Sequence, residues 1–321
     1  MKQESLAEVG NTPLVRLEGV YAKLECVNPT GSIKDRMVKF IVDESEKRGL
    51  LRKGMTLVEA TSGNTGIALS WYAKQKGYDA VIIMPDNMTD ERKRLIRSYG
   101  AKLVLCSAKG SFLEGIRIRD EMTKDGRHFS TNQFENELNV ECHYRTTGQE
   151  IIRQLKAESK VADAFVAGVG TGGTLMGVAK ALREVNSEVH VVAIEPDESA
   201  VMSGGTPGPH EIQGIGDGFI PRIIQGKKRG LDPIIDDVVR VRSDDAVDAS
   251  KSIERNHGYC VGVSSGANFL VAKRLLRDYD TVATVFPDGF NRYVSLGLNS
   301  SGRCNFTSRA CEAARAAADV D

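Results

Sequence analysis

The stretch Gly168-Val169-Gly170-Thr171-Gly172-Gly173-Thr174 decides the fold. The run before it, 164–167, reads as a strand, and the run after it, 173–184, as a helix. A strand feeding a helix through a glycine turn is the repeating unit of α/β folds. Upstream, the sequence predicts strands over 20–25, 56–60, 79–84, 102–106 and 128–130. Helices are predicted over 34–48, 66–76, 89–99, 111–124 and 147–156. Downstream come strands over 189–195, 237–241 and 282–286, with helices over 244–256 and 266–278. This alternation predicts an α/β protein built from doubly wound parallel sheets. Residues 203–233 break the rhythm with glycine and proline, and read as a long structured loop of functional or mobile character.

The glycine loop has a chemistry of its own. Bare amide N–H groups at a helix N-terminus, with the helix dipole behind them, hold a phosphate without a cationic side chain. The same residues satisfy G-x-G-x-x-G, and Glu195 ends the next predicted strand, as a dinucleotide site requires. A dinucleotide, a phosphorylated cofactor and a tight turn without ligand are all open at this point.

Composition removes several classes. The chain has 321 residues, with 43 Lys plus Arg against 43 Asp plus Glu, so it lacks the basic excess of a nucleic-acid binder. Its richest apolar run, Ala80-Val81-Ile82-Ile83-Met84, is far short of the roughly 20 residues that span a bilayer. Residues 1–10 carry Lys2, Glu4 and Glu8 and no apolar core, so no secretory signal is expected and the cytoplasm is the default location. Six cysteines without C-x-x-C spacing read as reduced packing residues. Five histidines show no ligand spacing, so no metal is expected. The 32 glycines against 6% aromatics suit a fold whose turns press backbone against a ligand.

Three more loops follow predicted strands. Thr61-Ser62-Gly63-Asn64-Thr65-Gly66 offers hydroxyls, an amide and backbone N–H groups in one turn, which suits a carboxylate or simply caps a helix. In Asn28-Pro29-Thr30-Gly31-Ser32-Ile33-Lys34-Asp35-Arg36, a lysine opens a helix against the dipole preference, which favours its neutral amine. A neutral amine makes a Schiff base, whereas a lone surface lysine does nothing of the kind. Gly262-Val263-Ser264-Ser265-Gly266 opens another helix and says little alone.

Taken in order, N-P-T-G-S-I-K-D-R, T-S-G-N-T-G, G-V-G-T-G-G-T and G-V-S-S-G-A resemble the cysteine synthase and cystathionine β-synthase family. These are pyridoxal-phosphate (PLP) enzymes of the tryptophan-synthase β-subunit fold, fold type II. Asn11-Thr12-Pro13-Leu14, Thr146-Thr147-Gly148 with Glu150, and Gly208-Pro209-His210 with Ile212-Gln213-Gly214-Ile215-Gly216 resemble further blocks of the family. The likeness runs from about Val9 to Tyr293.

The resemblance implies two doubly wound α/β domains with the PLP site in the cleft between them. The smaller, mobile, substrate-closing domain would be inserted at 40–135, and the larger PLP domain would comprise 1–39 and 136–298. It further implies that Lys34 holds PLP and acts as the base at Cα, and that Asn64 meets the cofactor 3′-oxygen. Gly170, Thr171, Gly172, Gly173 and Thr174 would hold the phosphate, and Ser264 would face the ring nitrogen. A neutral hydroxyl there makes the ring a weaker electron sink and favours β-elimination over transamination. Thr61, Ser62, Thr65 and Gln133 would grip the substrate carboxylate, a contact able to close the smaller domain. The implied reaction is β-replacement through an aminoacrylate, most simply cysteine synthesis from O-acetylserine and sulfide. A homodimer is implied as well, and some relatives bind the C-terminal tail of serine acetyltransferase in this cleft.

Asp217 departs from the family, where a small apolar residue is usual. If it borders Cβ it can deprotonate a thiol or water, or protonate a leaving thiolate, turning the enzyme towards sulfide release from cysteine. The alternative is an aspartate facing solvent or capping a turn. Cystathionine synthesis from serine is a further possibility, and an NAD-binding oxidoreductase a remote one, since it leaves Lys34, Asn64 and Ser264 unexplained. The block Phe286-Pro287-Asp288-Gly289-Phe290-Asn291-Arg292-Tyr293 also differs from the usual one, and the connection between Leu17 and Val20 is short. Residues 299–321 lie beyond the resemblance, as a peripheral helix or a disordered tail.

Overall fold

The computed structural model describes residues 9–61, 63–107, 111–227, 230–293, 298 and 304. Its strands, in chain order, are β1 (Leu14–Leu17), β2 (Val20–Leu24), β3 (Thr56–Ala60), β4 (Asp79–Pro85) and β5 (Lys102–Cys106). They continue with β6 (His128–Ser130), β7 (Ala164–Gly168), β8 (His190–Pro196), β9 (Asp237–Val241) and β10 (Val282–Phe286). One sheet has the order β1-β2-β10-β7-β8-β9 and the other β5-β4-β3-β6, so every strand of the second falls between two strands of the first in sequence. All pairings are parallel except β1 with β2.

That exception explains the short connection noted above. Glu18 and Gly19 both take positive φ, 47° and 95°, which is the backbone of a two-residue hairpin turn. A hairpin lets β1 pair back directly, whereas parallel strands need a crossover. The central strands β2, β7 and β10 are buried almost throughout, as expected of strands covered on both faces. Alternation then divides their side chains. Ala164 and Val166 enter the core on one face, with Ala267 and Val271, while Phe165 and Ala167 enter the other, with Leu175 and Leu182.

The helices are α1 (Lys34–Lys47), α2 (Asn64–Lys76), α3 (Asp90–Ser98), α4 (Ser111–Thr123), α5 (Glu137–His143), α6 (Gln149–Ala157), α7 (Gly173–Val185), α8 (Ser243–His257) and α9 (Val263–Leu275). Met37, Val38, Ile41 and Val42 of α1 pack with α2 against Leu57 and Ile82, on the smaller sheet. Helix α5 is absent from the sequence expectation. Its buried positions include Asn139 and His143 beside Leu138, Val140 and Cys142, so the inward face is not an apolar stripe. A π-helical turn, Tyr144–Gly148, joins α5 to α6. Among the described residues no helix is long and apolar enough to cross a membrane.

The described parts of the long loop 203–233 are packed rather than loose. Ile212, Ile215, Ile223 and Ile224 bury their side chains in the two cores of the larger sheet. Because the strands are parallel, the loops after β2, β3, β7 and β10 all emerge at strand C-terminal ends, where ligands of open α/β sheets bind.

Candidate active site

Lys34, Asn64, Gln133, Thr171, Asp217 and Ser264 line a single cavity between the two sheets' layers. Each reaches it from a different element. Lys34 is the first residue of α1, as expected from its motif. Its neighbours fix it in place: Asp35 accepts from the Thr30 N–H at 2.7 Å, and Arg36 bridges Glu25 and Glu150, both at 2.7 Å. The loop before the helix is thereby bound to residues inside it. Burial holds the Lys34 ammonium below the ordinary lysine value of 10.5, against the opposing pull of the Asp217 and Asp288 carboxylates. Desolvation does the work that the helix dipole alone suggested from sequence.

The glycine loop lies where its motif predicts. Gly172 stands at the N-cap of α7 at φ 85°, and having no side chain leaves that end to the Thr171 hydroxyl, which accepts from the Gly173 N–H at 3.3 Å. A Cβ at Gly170 would stand 2.3 Å from the Gly214 carbonyl oxygen, and one at Gly173 2.1 Å from Asn139 Oδ1, so both positions accept only glycine. The Thr174 hydroxyl lies 3.3 Å from His143 Nε2.

Across the cavity, the Thr61 hydroxyl accepts from the Gly63 N–H at 3.0 Å. Thr65 donates to Gln133 Oε1 at 2.6 Å, and Gln133 Nε2 donates to the Ala60 carbonyl at 3.3 Å. Glu59, fully buried behind them, accepts from Ser130 and Thr131 and pairs with Arg119. Ser62 lies outside the described residues. Ser264 falls in the first turn of α9, which starts at Val263, three residues before the predicted helix.

Asn64 donates through Nδ2 to Asp288 Oδ2 at 2.7 Å, and the Tyr293 hydroxyl donates to the same oxygen at 2.7 Å. Asn64 Oδ1 and Asp288 Oδ1 are buried without partners. Asp288 was not assigned from sequence, although the unusual block containing it was a signal. Arg92 of α3 was also missed. It crosses from the smaller sheet's layer, donates to Gln213 and stacks over the Tyr293 ring at 5.3 Å. A charged helix without a motif gave no hint of that.

Asp217 lines the cavity, half-buried, and it caps no turn. Among the described residues its carboxylate accepts no hydrogen bond, and burial raises its pKa against the fields of Lys34 and His210. Glu195, by contrast, is spent. Its carboxylate accepts from the N–H groups of Met202 and Ser203, so it is not available to a ribose, and the dinucleotide reading fails.

A lysine at a helix start, facing a glycine cradle and a hydroxyl-rich turn between two parallel sheets, defines a PLP enzyme of fold type II. The chain belongs to the pyridoxal-phosphate dependent enzyme family, whose profile matches residues 6–288. It is 41% identical over 303 residues to a cysteine synthase of Staphylococcus aureus, covering 91% of this chain and 95% of that protein. A hydrogen sulfide-producing enzyme of Fusobacterium nucleatum superposes with a TM-score of 0.85 at 38% identity, covering 95% of this chain and 94% of that one. A cysteine synthase of Entamoeba histolytica gives 0.84 at 33% identity, covering 98% and 95%. It is a PLP-dependent β-replacement enzyme.

The residues present fit the cofactor. Gly170 and Gly173 leave room that no side chain can occupy, and the first N–H groups of α7 lack helical partners. Asn64 gives one Nδ2 hydrogen to Asp288 and keeps the second for an acceptor in the same cavity.

Proposed function

We propose that the enzyme acts on L-cysteine, releases sulfide, and adds water or a thiol at Cβ. The observation carrying this reading is Asp217, half-buried in the lining of the Lys34 cavity and without a hydrogen-bond partner among the described residues. When bound, PLP supplies the electron sink that acidifies Cα and lets the β-substituent leave. Lys34 takes the proton from Cα. Thr61, Ser62, Thr65 and Gln133 hold the α-carboxylate, Gly170 to Thr174 hold the phosphate, Asn64 meets the 3′-oxygen, and Ser264 faces the ring nitrogen without a charge. Asp217 in its acid form gives a proton to the departing sulfur. The resulting carboxylate takes one from the incoming water or thiol, and Lys34 gives its proton back to Cα, which together return the enzyme to its starting state.

Segment 40–135 is the smaller, closing domain on this reading, moving when a carboxylate engages the loop at Thr61 to Thr65. A homodimer and a serine acetyltransferase tail as partner rest on the family likeness.

Cysteine synthesis from O-acetylserine and sulfide is the second reading, favoured by the 41% identity to a cysteine synthase. One experiment separates them. Purified holoenzyme is given cysteine alone, or O-acetylserine with sulfide, and sulfide and amino-acid products are measured. Asp217→Asn is expected to lose sulfide release about a hundredfold, in line with general acid–base catalysis, while keeping acetylserine turnover. Equal sulfide release by wild type and variant would overturn the first reading.

A further inference from the structure

Asn139 joins the two anion-binding sides of the cavity through one side-chain amide. It lies on α5, 1% exposed. Its Nδ2 donates to the Gln133 carbonyl oxygen and to the Thr171 hydroxyl, both at 2.9 Å. The carbonyl fixes which way the amide faces, since only the nitrogen can meet it.

The consequence for Thr171 follows from counting. A hydroxyl has two lone pairs and one hydrogen. Asn139 fills one lone pair, and the Gly173 N–H, at 3.3 Å, fills the other. Only the hydrogen is left, so Thr171 faces the cavity as an obligate donor, suited to an anion. Gln133 is held in the same way. Its carbonyl accepts from Asn139, its Oε1 from Thr65, and its Nε2 donates to Ala60, leaving one amide hydrogen for the cavity.

The arrangement has a cost. Asn139 Oδ1 is buried without a partner, against the α-carbon of Gly173, where a Cβ would stand 2.1 Å away. Buried polar atoms are rarely left so, and here both amide hydrogens are committed to the two loops.

We propose that Asn139 is a positioning residue that sets the hydroxyl of Thr171 as a donor and anchors the backbone of Gln133, coupling the cofactor phosphate loop to the substrate carboxylate loop. The proposal rests on the reading that Gly170 to Thr174 hold the PLP phosphate and that Gln133 meets the substrate carboxylate.

Its test is titration of resolved apoenzyme with PLP, followed by protein fluorescence, beside the KM for the amino acid. Asn139→Ala is expected to weaken PLP binding about tenfold and to raise KM together with it. Thr171→Val should weaken PLP comparably, Thr171→Ser should not, and the double variant Asn139→Ala/Thr171→Val should be no worse than Thr171→Val. Additive losses, or an unchanged PLP affinity in Asn139→Ala alone, would overturn the proposal. If Thr171→Val itself binds PLP normally, the phosphate-loop reading fails and takes this one with it. Should Asn139→Ala fold poorly, Asn139→Asp keeps the shape but donates to neither loop. It should bind PLP weakly and yet bind pyridoxal, which lacks the phosphate, as wild type does; equal losses for both would mark a merely structural residue.

Discussion

His143 and Thr174 stand 3.3 Å apart, imidazole Nε2 against hydroxyl, while Nδ1 of the same ring lies 2.9 Å from the Thr147 hydroxyl. Burial, then the positive fields of Lys34 and Arg36, holds the His143 pKa well below its ordinary 6.5, so the ring is neutral. A neutral ring has one donor and one acceptor. With the proton on Nε2, the ring donates to Thr174 and leaves that hydroxyl's hydrogen for a phosphate. His143→Phe should therefore weaken PLP affinity about tenfold, the worth of one hydrogen bond in a buried site. The same shift has a pH consequence. The folded pKa is depressed, so the stability it contributes is present above pH 6.5 and is lost as pH falls below that value. Melting curves of apoenzyme between pH 7 and 5 should fall less steeply in His143→Gln than in wild type; parallel curves would refute the assignment.

Asp35 gives the opposite slope. Burial raises its pKa from 3.8 to about 7, in spite of hydrogen bonds from the Thr30 hydroxyl and N–H and the field of Arg292. The fold favours the proton, so this group's contribution is full below pH 3.8 and is lost as pH rises through about 7. Asp35→Asn removes the titration and should gain stability relative to wild type as pH rises from 5 to 8. The difference between the two melting temperatures is the readout, since other groups titrate in both proteins. A constant difference across that range would exclude it.

How much of this was legible follows from where each signal sits. The glycine loop, the lysine motif and the strand–helix alternation are local in sequence, and the structure places them as read. Strand β1 was missed because its four residues, half-buried at best except for Leu17, carry no clear alternation. Helix α5 was missed because its inward face holds Asn139 and His143, chosen for hydrogen bonds across the cavity and not for hydrophobic burial. The roles of Arg92 and Asp288 depend on partners over a hundred residues away, Gln213 for one and Asn64 for the other, and no period or motif reports such a distance. Asp217 was visible as a departure from the family, but only the fold could tell cavity from solvent. Apart from Cys304, which is half-buried against the core of the larger sheet, the stretch 299–321 lies outside the described residues.

Glycine substitutions test the cradle directly. Gly170→Ala would put a methyl 2.3 Å from the Gly214 carbonyl oxygen, which is backbone and cannot swing aside. The stretch leading to Asp217 must move, so PLP affinity and sulfide release should fall together, with a stability loss of about 1–3 kcal/mol from overpacking. Gly126→Ala is the control. Its Cβ meets nothing within 4 Å, and its cost is only that of φ 67°, about 1 kcal/mol. If Gly170→Ala cost no more than Gly126→Ala and left PLP affinity intact, the close approach would have no functional weight.

Arg92 ties the substrate side of the cleft to the loop that carries Asp217. Its guanidinium lies beneath Gly63, where a Cβ would stand 2.7 Å from Arg92 Cδ, so the turn proposed to hold the carboxylate rests directly on it at Gly63. The same group donates to Gln213, on the loop running to Asp217, and lies over the Tyr293 ring. A positive charge behind a carboxylate-binding turn favours substrate binding before any bond is made or broken. Such uniform binding appears in KM more than in kcat. Arg92→Lys keeps the charge but loses the planar fork that meets Gln213 and the ring face, so it is not a conservative change. We expect it to raise the KM for the amino acid about tenfold, with a smaller effect on kcat, the loss of one charged hydrogen bond being about 1.5–3 kcal/mol. Gln213→Ala should act differently, because it leaves the charge in place and frees only the Asp217 side: sulfide release should slow while KM changes little. Steady-state kinetics on cysteine distinguishes the two, and equal KM values for wild type and Arg92→Lys would show that the carboxylate loop works without the cation beneath it.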